Sequence, residues 1–211
     1  MCNVGGTVFI VDDDAEVRAS LSRLLTSEGY QVRTFESAVQ FLDEQDADTP
    51  GCLLLDLCMP DLSGIELQRA LDGSPRARPV VFLTAMGDIE TSVEAMKAGA
   101  VDFLTKPFDS ARLLATVERA LKRDIEQRHE RAIRTAIELR LKDLTRRERE
   151  VMAHVIRGRL NKQIAAEMHN GEKTVKIHRR RVMSKMHART VPELVYLAVR
   201  AGVAPEFILR D

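Results

Sequence analysis

Through residues 1–121, short runs of apolar residues alternate with stretches of helical periodicity, and the runs stop at polar or charged side chains. Val8–Val11 stops at Asp12, Leu53–Leu55 at Asp56 and Val80–Leu83 at Thr84, while Val101–Leu104 leads into Lys106-Pro107. Runs of this length, apolar on both faces, suit central strands of a parallel sheet covered by helices. Between them, Val17, Leu21, Leu24 and Leu25 form one helical stripe, Val93 and Met96 mark a second, and Leu113, Leu114, Val117 and Leu121 a third. Gly29, Pro50-Gly51, Gly73 and Gly99 punctuate the units. With a weaker strand at Gln31–Thr34, five βα units result. They predict an α/β doubly wound, five-stranded parallel sheet of flavodoxin-like order 2-1-3-4-5.

In such a sheet, functional groups gather at the carboxyl ends of the strands. Here those ends carry Asp12 and Asp13, Asp56, Thr84 and Lys106. Three carboxylates drawn together resist full ionisation unless a cation joins them, and oxygen-only ligands suit Mg²⁺. A carboxylate is a competent nucleophile for phosphorus, and a lysine and a hydroxyl can hold the transferred oxygens. Taken singly, each residue has a plainer reading: an aspartate after a strand is usually a turn former or cap, and Asp14 suits the cap of the first helix. The joint placement at four strand ends is what points to phosphoryl chemistry.

Val11-Asp12-Asp13, Leu55-Asp56-Leu57-Cys58-Met59-Pro60, Ser63-Gly64, Thr84-Ala85 and Lys106-Pro107-Phe108 resemble the receiver domain of two-component response regulators. The resemblance implies that Asp56 accepts a phosphoryl group from a sensor histidine kinase. Asp13 would bind Mg²⁺ directly, Asp12 chiefly through water, and Asp56 and the Cys58 carbonyl would complete the ligands. It further implies a cis Lys106–Pro107 bond and a switch through Thr84 and Phe103. Its output surface, at 88–98, 101–104 and 110–121, would pair two receivers into a homodimer on phosphorylation. No activity beyond the domain's own phosphoryl transfer and dephosphorylation is implied. An aspartyl-phosphate phosphohydrolase would want a second aspartate two residues after the nucleophile, where Cys58 stands.

The formal net charge of zero conceals a separation. Residues 1–121 carry twenty acidic and ten basic side chains, whereas 141–211 carry eight acidic and sixteen basic. Such asymmetry suggests an acidic domain joined to one that binds a polyanion. The expected division is 1–121, a helical linker over 122–140, and a small all-α domain over 141–211. The linker lacks proline and glycine, and Lys122–Arg131 holds only Ile125 as a large apolar residue, which reads as a solvated helix. Ile133, Ile137 and Leu141 regain a spacing of four, suited to packing on a partner helix or on the next domain.

Thr145 and Glu148 fit a capping box opening a helix with Val151, Met152 and Val155 on one face. Asn161 suits the cap of a second helix, His169-Asn170-Gly171 the turn, Glu172–Met186 a third helix, and a fourth follows Pro192. Two short helices joined by a glycine-containing turn read as a helix-turn-helix. On the third helix, Lys173, Lys176, Ile177 and Arg180 share a face fit for the major groove, with Arg179, Arg181 and Lys185 beside it for phosphates. A basic solvated helix is the plainer alternative; charge, fold and face together favour DNA.

Leu144–Val151, Asn161–Ala165 and Lys173–Arg179 resemble the LuxR-type DNA-binding domain, so the chain as a whole is similar to response regulators of the NarL/FixJ class. By position, Lys176, Ile177 and Arg180 match the base-reading places, with Lys173, Thr174, Arg179 and Lys185 among the DNA contacts. Gly171 departs from the usual serine or threonine cap, leaving Asn170 to cap the helix. The class implies promoter DNA and RNA polymerase as partners and activation of transcription. Without a membrane-length apolar run or a signal-peptide pattern, and with three cysteines lacking metal-type spacing, the sequence predicts a cytoplasmic protein.

Overall fold

The computed structural model describes residues 6–44, 46, 48–74, 77–85 and 99–203. Two compact units divide the chain, residues 1–128 and 129–211.

In the first unit, β1 (Thr7–Val11), β2 (Gln31–Phe35), β3 (Gly51–Asp56), β4 (Val80–Thr84) and β5 (Asp102–Thr105) form one parallel sheet in the order β2-β1-β3-β4-β5. The continuous apolar runs are explained by burial on both faces. Val8, Ile10, Leu54, Val81 and Leu83 turn to one side. There they pack on Leu21 and Leu25 of α1 (Ala15–Ser27) and on Leu113, Val117 and Leu121 of α4 (Ser110–Lys142). Phe9, Val11, Leu53, Leu55 and Phe82 turn to the other, against Phe41 of α2 (Ala38–Glu44) and Leu67 and Leu71 of α3 (Gly64–Leu71). Asp14 caps α1 by accepting from Glu16 N and Val17 N, as its place before the stripe predicts. The helix expected around Val93 and Met96 lies outside the described residues, as does the 88–98 part of the output surface.

The 33-residue α4 confirms the uninterrupted helix expected from composition, but its early linker turns are not simply solvated. Asp124 is 1% exposed. Its Oδ2 accepts from Gly51 N and from Arg128 Nε, each at 2.8 Å, and Arg128 Nη2 donates to the Thr49 carbonyl at 2.9 Å. These residues therefore belong to the first unit. A polar group buried through bonds to distant residues leaves no trace in hydrophobic periodicity.

The second unit packs α5 (Arg146–Ile156), α6 (Asn161–Glu167), α7 (Glu172–Lys185) and α8 (Val191–Arg200) around Val151, Val155, Ile164, Val175, Val182, Met186 and Leu194. Ile137, from the end of α4, joins this core, as the returning spacing suggests. Both halves of the Thr145/Glu148 capping box are formed.

Two expected caps are not. Leu160, not Asn161, is the cap of α6, and its N–H is taken by Gln163 Oε1 at 2.8 Å. Gly171 caps α7 with no side-chain bond, so Asn170 does not stand in for the missing serine or threonine. Asn170 is spent on the turn instead: His169 adopts φ 50°, and Asn170 N reaches the Ala165 carbonyl at 2.9 Å.

Candidate functional site

The carboxyl edge of the sheet brings together residues far apart in sequence. Asp12 follows β1, Asp56 ends β3, Thr84 ends β4 and Lys106 follows β5. The register sets Asp56 beside Leu83 and Thr84 beside Thr105. Lys106 Nζ lies 2.7 Å from Asp12 Oδ2 and 2.9 Å from Asp56 Oδ1, so one ammonium bridges both carboxylates. The Lys106 N–H also donates to the Thr84 carbonyl at 2.6 Å, and the Lys106–Pro107 bond is cis.

Both acids are buried, Asp12 completely. Burial pushes the Asp12 carboxyl above its usual range, more than the Lys106 ammonium and the Asp14 N–H pull it back. Burial works to lower Lys106, but its bonds to Asp12 and Asp56 outweigh this and hold its pKa above the ordinary value. The second Asp56 oxygen accepts from Cys58 N at 2.9 Å, which fixes the carboxylate's orientation. Thr84 is buried, and Phe103 is half-buried against the core of the α2/α3 side.

Asp13 is exposed beside this group. Among the described residues, no three His, Cys, Asp or Glu side chains converge as metal ligands. The expected gathering of Asp12, Asp13 and Asp56 is therefore made only by Asp12 and Asp56, which meet on the ammonium. In kind, the donors available are carboxylate and carbonyl oxygens, which fit a hard divalent cation.

Two contributors escape a reading by residue chemistry. Arg18 Nη1 donates to the Asp12 carbonyl at 2.7 Å, fixing the backbone that presents the acids. Gly64 approaches Asp56 so closely that a Cβ there would stand 2.4 Å from its carbonyl oxygen. Its sequence signals are the place of Ser63-Gly64 in the receiver resemblance and a glycine at the first position of a capped helix.

In the second unit, α7 exposes Lys173, Thr174, Lys176, Ile177, Arg180 and Arg181, while Val175 and Val182 are buried. Two of the residues expected beside the groove are engaged within the protein. Lys185 Nζ lies 2.7 Å from Glu148 Oε2 and 3.0 Å from the Asp143 carbonyl. The Lys185 ammonium, with the Thr145 donors, holds the Glu148 carboxyl down at about 2. Arg179 Nη1 donates to Asn161 Oδ1 at 2.9 Å. Sequence reading counts both cations toward DNA because charge is visible there and partners 18 and 37 residues away are not.

An open α/β sheet with a lysine-bridged acid pair at its carboxyl edge, followed by a helix-turn-helix with a basic exposed face, defines a class. Residues 8–118 match the response regulator receiver domain family, and residues 142–198 match the luxR family of bacterial regulatory proteins. The chain belongs to the two-component response regulators whose receiver is followed by a LuxR-type DNA-binding domain. A receiver implies a sensor kinase as partner, and the LuxR-type domain implies DNA.

The likeness to individual members extends over nearly the whole chain. It is 42% identical over 198 residues to the transcriptional regulatory protein FixJ of Azorhizobium caulinodans, covering 94% of each. With the response regulator protein TodT of Pseudomonas putida strain F1 it shares 40% identity over 200 residues, 95% of this chain and 88% of that one. Among solved structures, the response regulator StyR aligns with a TM-score of 0.81 at 45% identity, covering 93% of this chain and 99% of that one. Full-length FixJ from B. japonicum aligns with a TM-score of 0.56 at 42% identity, covering 93% and 97%. Among the described residues, no helix is long and apolar enough to cross a membrane.

Proposed function

We propose that Asp56 takes a phosphoryl group from the phosphohistidine of a sensor kinase, and that the resulting anhydride raises the chain's affinity for promoter DNA. The observation that carries this reading is the Lys106 bridge between Asp12 and Asp56 at the sheet edge. An Asp56 carboxylate oxygen forms the new bond to phosphorus as the phosphorus–nitrogen bond of the donor breaks and its electron pair leaves with the imidazole. Lys106, holding its proton, offers that charge to the phosphoryl oxygens, and the Thr84 hydroxyl donates to another. With Asp13 turned in from its exposed place toward the Asp12–Asp56 pair, these three acids and the Cys58 carbonyl would hold Mg²⁺, which when bound neutralises charge on the phosphoryl oxygens. Beyond its own phosphorylation and dephosphorylation the chain catalyses nothing.

The arriving dianion captures Thr84 and Lys106, and the change passes to Phe103 and the 88–121 surface, where two receivers pair. Pairing matters because one short helix-turn-helix reads few base pairs, and two on spaced half-sites multiply specificity. In the groove, Lys176 and Arg180 read bases and Ile177 meets a thymine methyl, with Lys173 on the same face, Thr174 among the contacts and the exposed Arg181 beside them for phosphates. Transcription rises through contact with RNA polymerase, in the cytoplasm.

Acetyl phosphate with Mg²⁺ supplies the test. Intact-protein mass spectrometry is expected to show one added phosphoryl group on the wild type and none on Asp56→Asn. Equal labelling of both would refute the acceptor assignment. At the DNA end, Lys176→Ala and Arg180→Ala should each relax base preference by about 1–3 kcal/mol at one position.

A further inference from the structure

The 3.6-residue repeat of α7 divides its basic residues between two sides. Val175, Val182 and Met186 mark the side turned into the helical core. Arg179 stands one turn after Val175 and three residues before Val182, so it falls on that same side. Lys173, Lys176, Ile177 and Arg180 fall on the opposite one and are exposed, whereas Arg179 is half-buried. Its guanidinium reaches back to the preceding helix, where Asn161 Oδ1 receives Nη1 at 2.9 Å. Asn161 is free to accept because the cap of α6 is Leu160, served by Gln163. The remaining links between α6 and α7 include Ile164, Ala165 and Val175, whose apolar packing is non-directional. A directional polar bond adds what packing lacks, a preferred orientation of one helix on the other.

We propose that Arg179 and Asn161 are positioning residues for base reading. Their bond sets where α7 lies on α6, and so where Lys176 and Arg180 meet the bases. Arg179 thus serves the choice of sequence and takes no phosphate. A bidentate contact to a base tolerates only about half an ångström of misplacement, so a small tilt of α7 is read out as lost discrimination. This inference rests on α7 being the base-reading helix.

The test uses the full chain and two duplexes of equal length, one selected from a random pool by the wild type and one of random sequence. Arg179→Gln and Asn161→Ala are each expected to lower the ratio of the two affinities roughly three- to tenfold, the range of one lost hydrogen bond. The dependence of affinity on salt should keep its slope, and the double variant should lose no more than either single one. Asn161→Asp retains the acceptor oxygen and is expected to keep the ratio, although its added negative charge weakens both complexes. The proposal is overturned if Arg179→Gln weakens both duplexes equally and its salt slope falls by about 0.9, the signature of one lost phosphate contact. Summed losses in the double variant would overturn it too. A wild type that prefers no sequence removes the base-reading role and this proposal with it. A selective wild type whose ratio survives Arg179→Gln removes this proposal alone.

Discussion

Glu148→Gln isolates a single charge in the second unit. The side chain keeps its length and an oxygen for the Thr145 N–H, but the carboxylate facing Lys185 at 2.7 Å is gone. Glu148 is 2% exposed and held at about 2, down from 4.5. A displacement of that size corresponds to a ceiling of about 3–4 kcal/mol. Lys185 is 36% exposed, so solvent screens the pair, and the expected loss at pH 7 is about 1–2 kcal/mol. Because the folded state binds this proton less readily than the unfolded chain, the contribution is complete above about pH 4.5. It fades as the pH falls toward 2. Urea titrations of the full chain, followed through the amide NMR signals of α5 and α7, measure this unit alone. The gap between wild type and Glu148→Gln should be present at pH 7 and pH 5 and shrink by pH 3. A gap that is absent at pH 7, or equal at pH 7 and pH 3, would show that the Lys185–Glu148 pair does not carry this stability.

Three further outcomes follow from buried or crowded groups. Asp124→Ala leaves the buried Gly51 N–H without its acceptor and removes one of the partners of Arg128, and should cost about 1–3 kcal/mol in urea unfolding followed at β3; a loss under about 0.5 kcal/mol would contradict its role. Gly64→Ala pushes a methyl group against the Asp56 carbonyl and should slow phosphorylation by acetyl phosphate roughly tenfold or more, with an unaltered rate counting against the close approach. Iodoacetamide at pH 8 should label the exposed Cys58 in the native chain, but Cys52, buried and pushed up to about 12, only after denaturation, as peptide mass spectrometry would show.

What the sequence made legible was whatever repeats or clusters locally. The parallel sheet covered on both faces followed from apolar runs too continuous for one-sided strands, and the acid pair from aspartates that end those runs at β1 and β3. The α5 capping box was visible because its partners lie three residues apart. Long-range polar bonds were not visible. Asp124 reads as one more acid on a polar helix until Gly51 is seen beside it. Arg179 and Lys185 read as DNA-facing charges until Asn161 and Glu148 supply partners. Asp13 is a different case: its adjacency to Asp12 is plain in the sequence, but that Asp12 turns inward to meet Lys106 while Asp13 is exposed is not.

Chemistry at Asp56 is proposed to govern the grip of α7 on DNA. Its most direct measurement is the affinity of the full chain for a duplex selected from a random pool, with and without acetyl phosphate and Mg²⁺, for the wild type and Asp56→Asn. The phosphodonor is expected to tighten wild-type binding by roughly tenfold or more, within the usual range of coupling between sites, and to leave Asp56→Asn unchanged. Equal tightening of both proteins, or none in a wild type shown by mass to be phosphorylated, would contradict it.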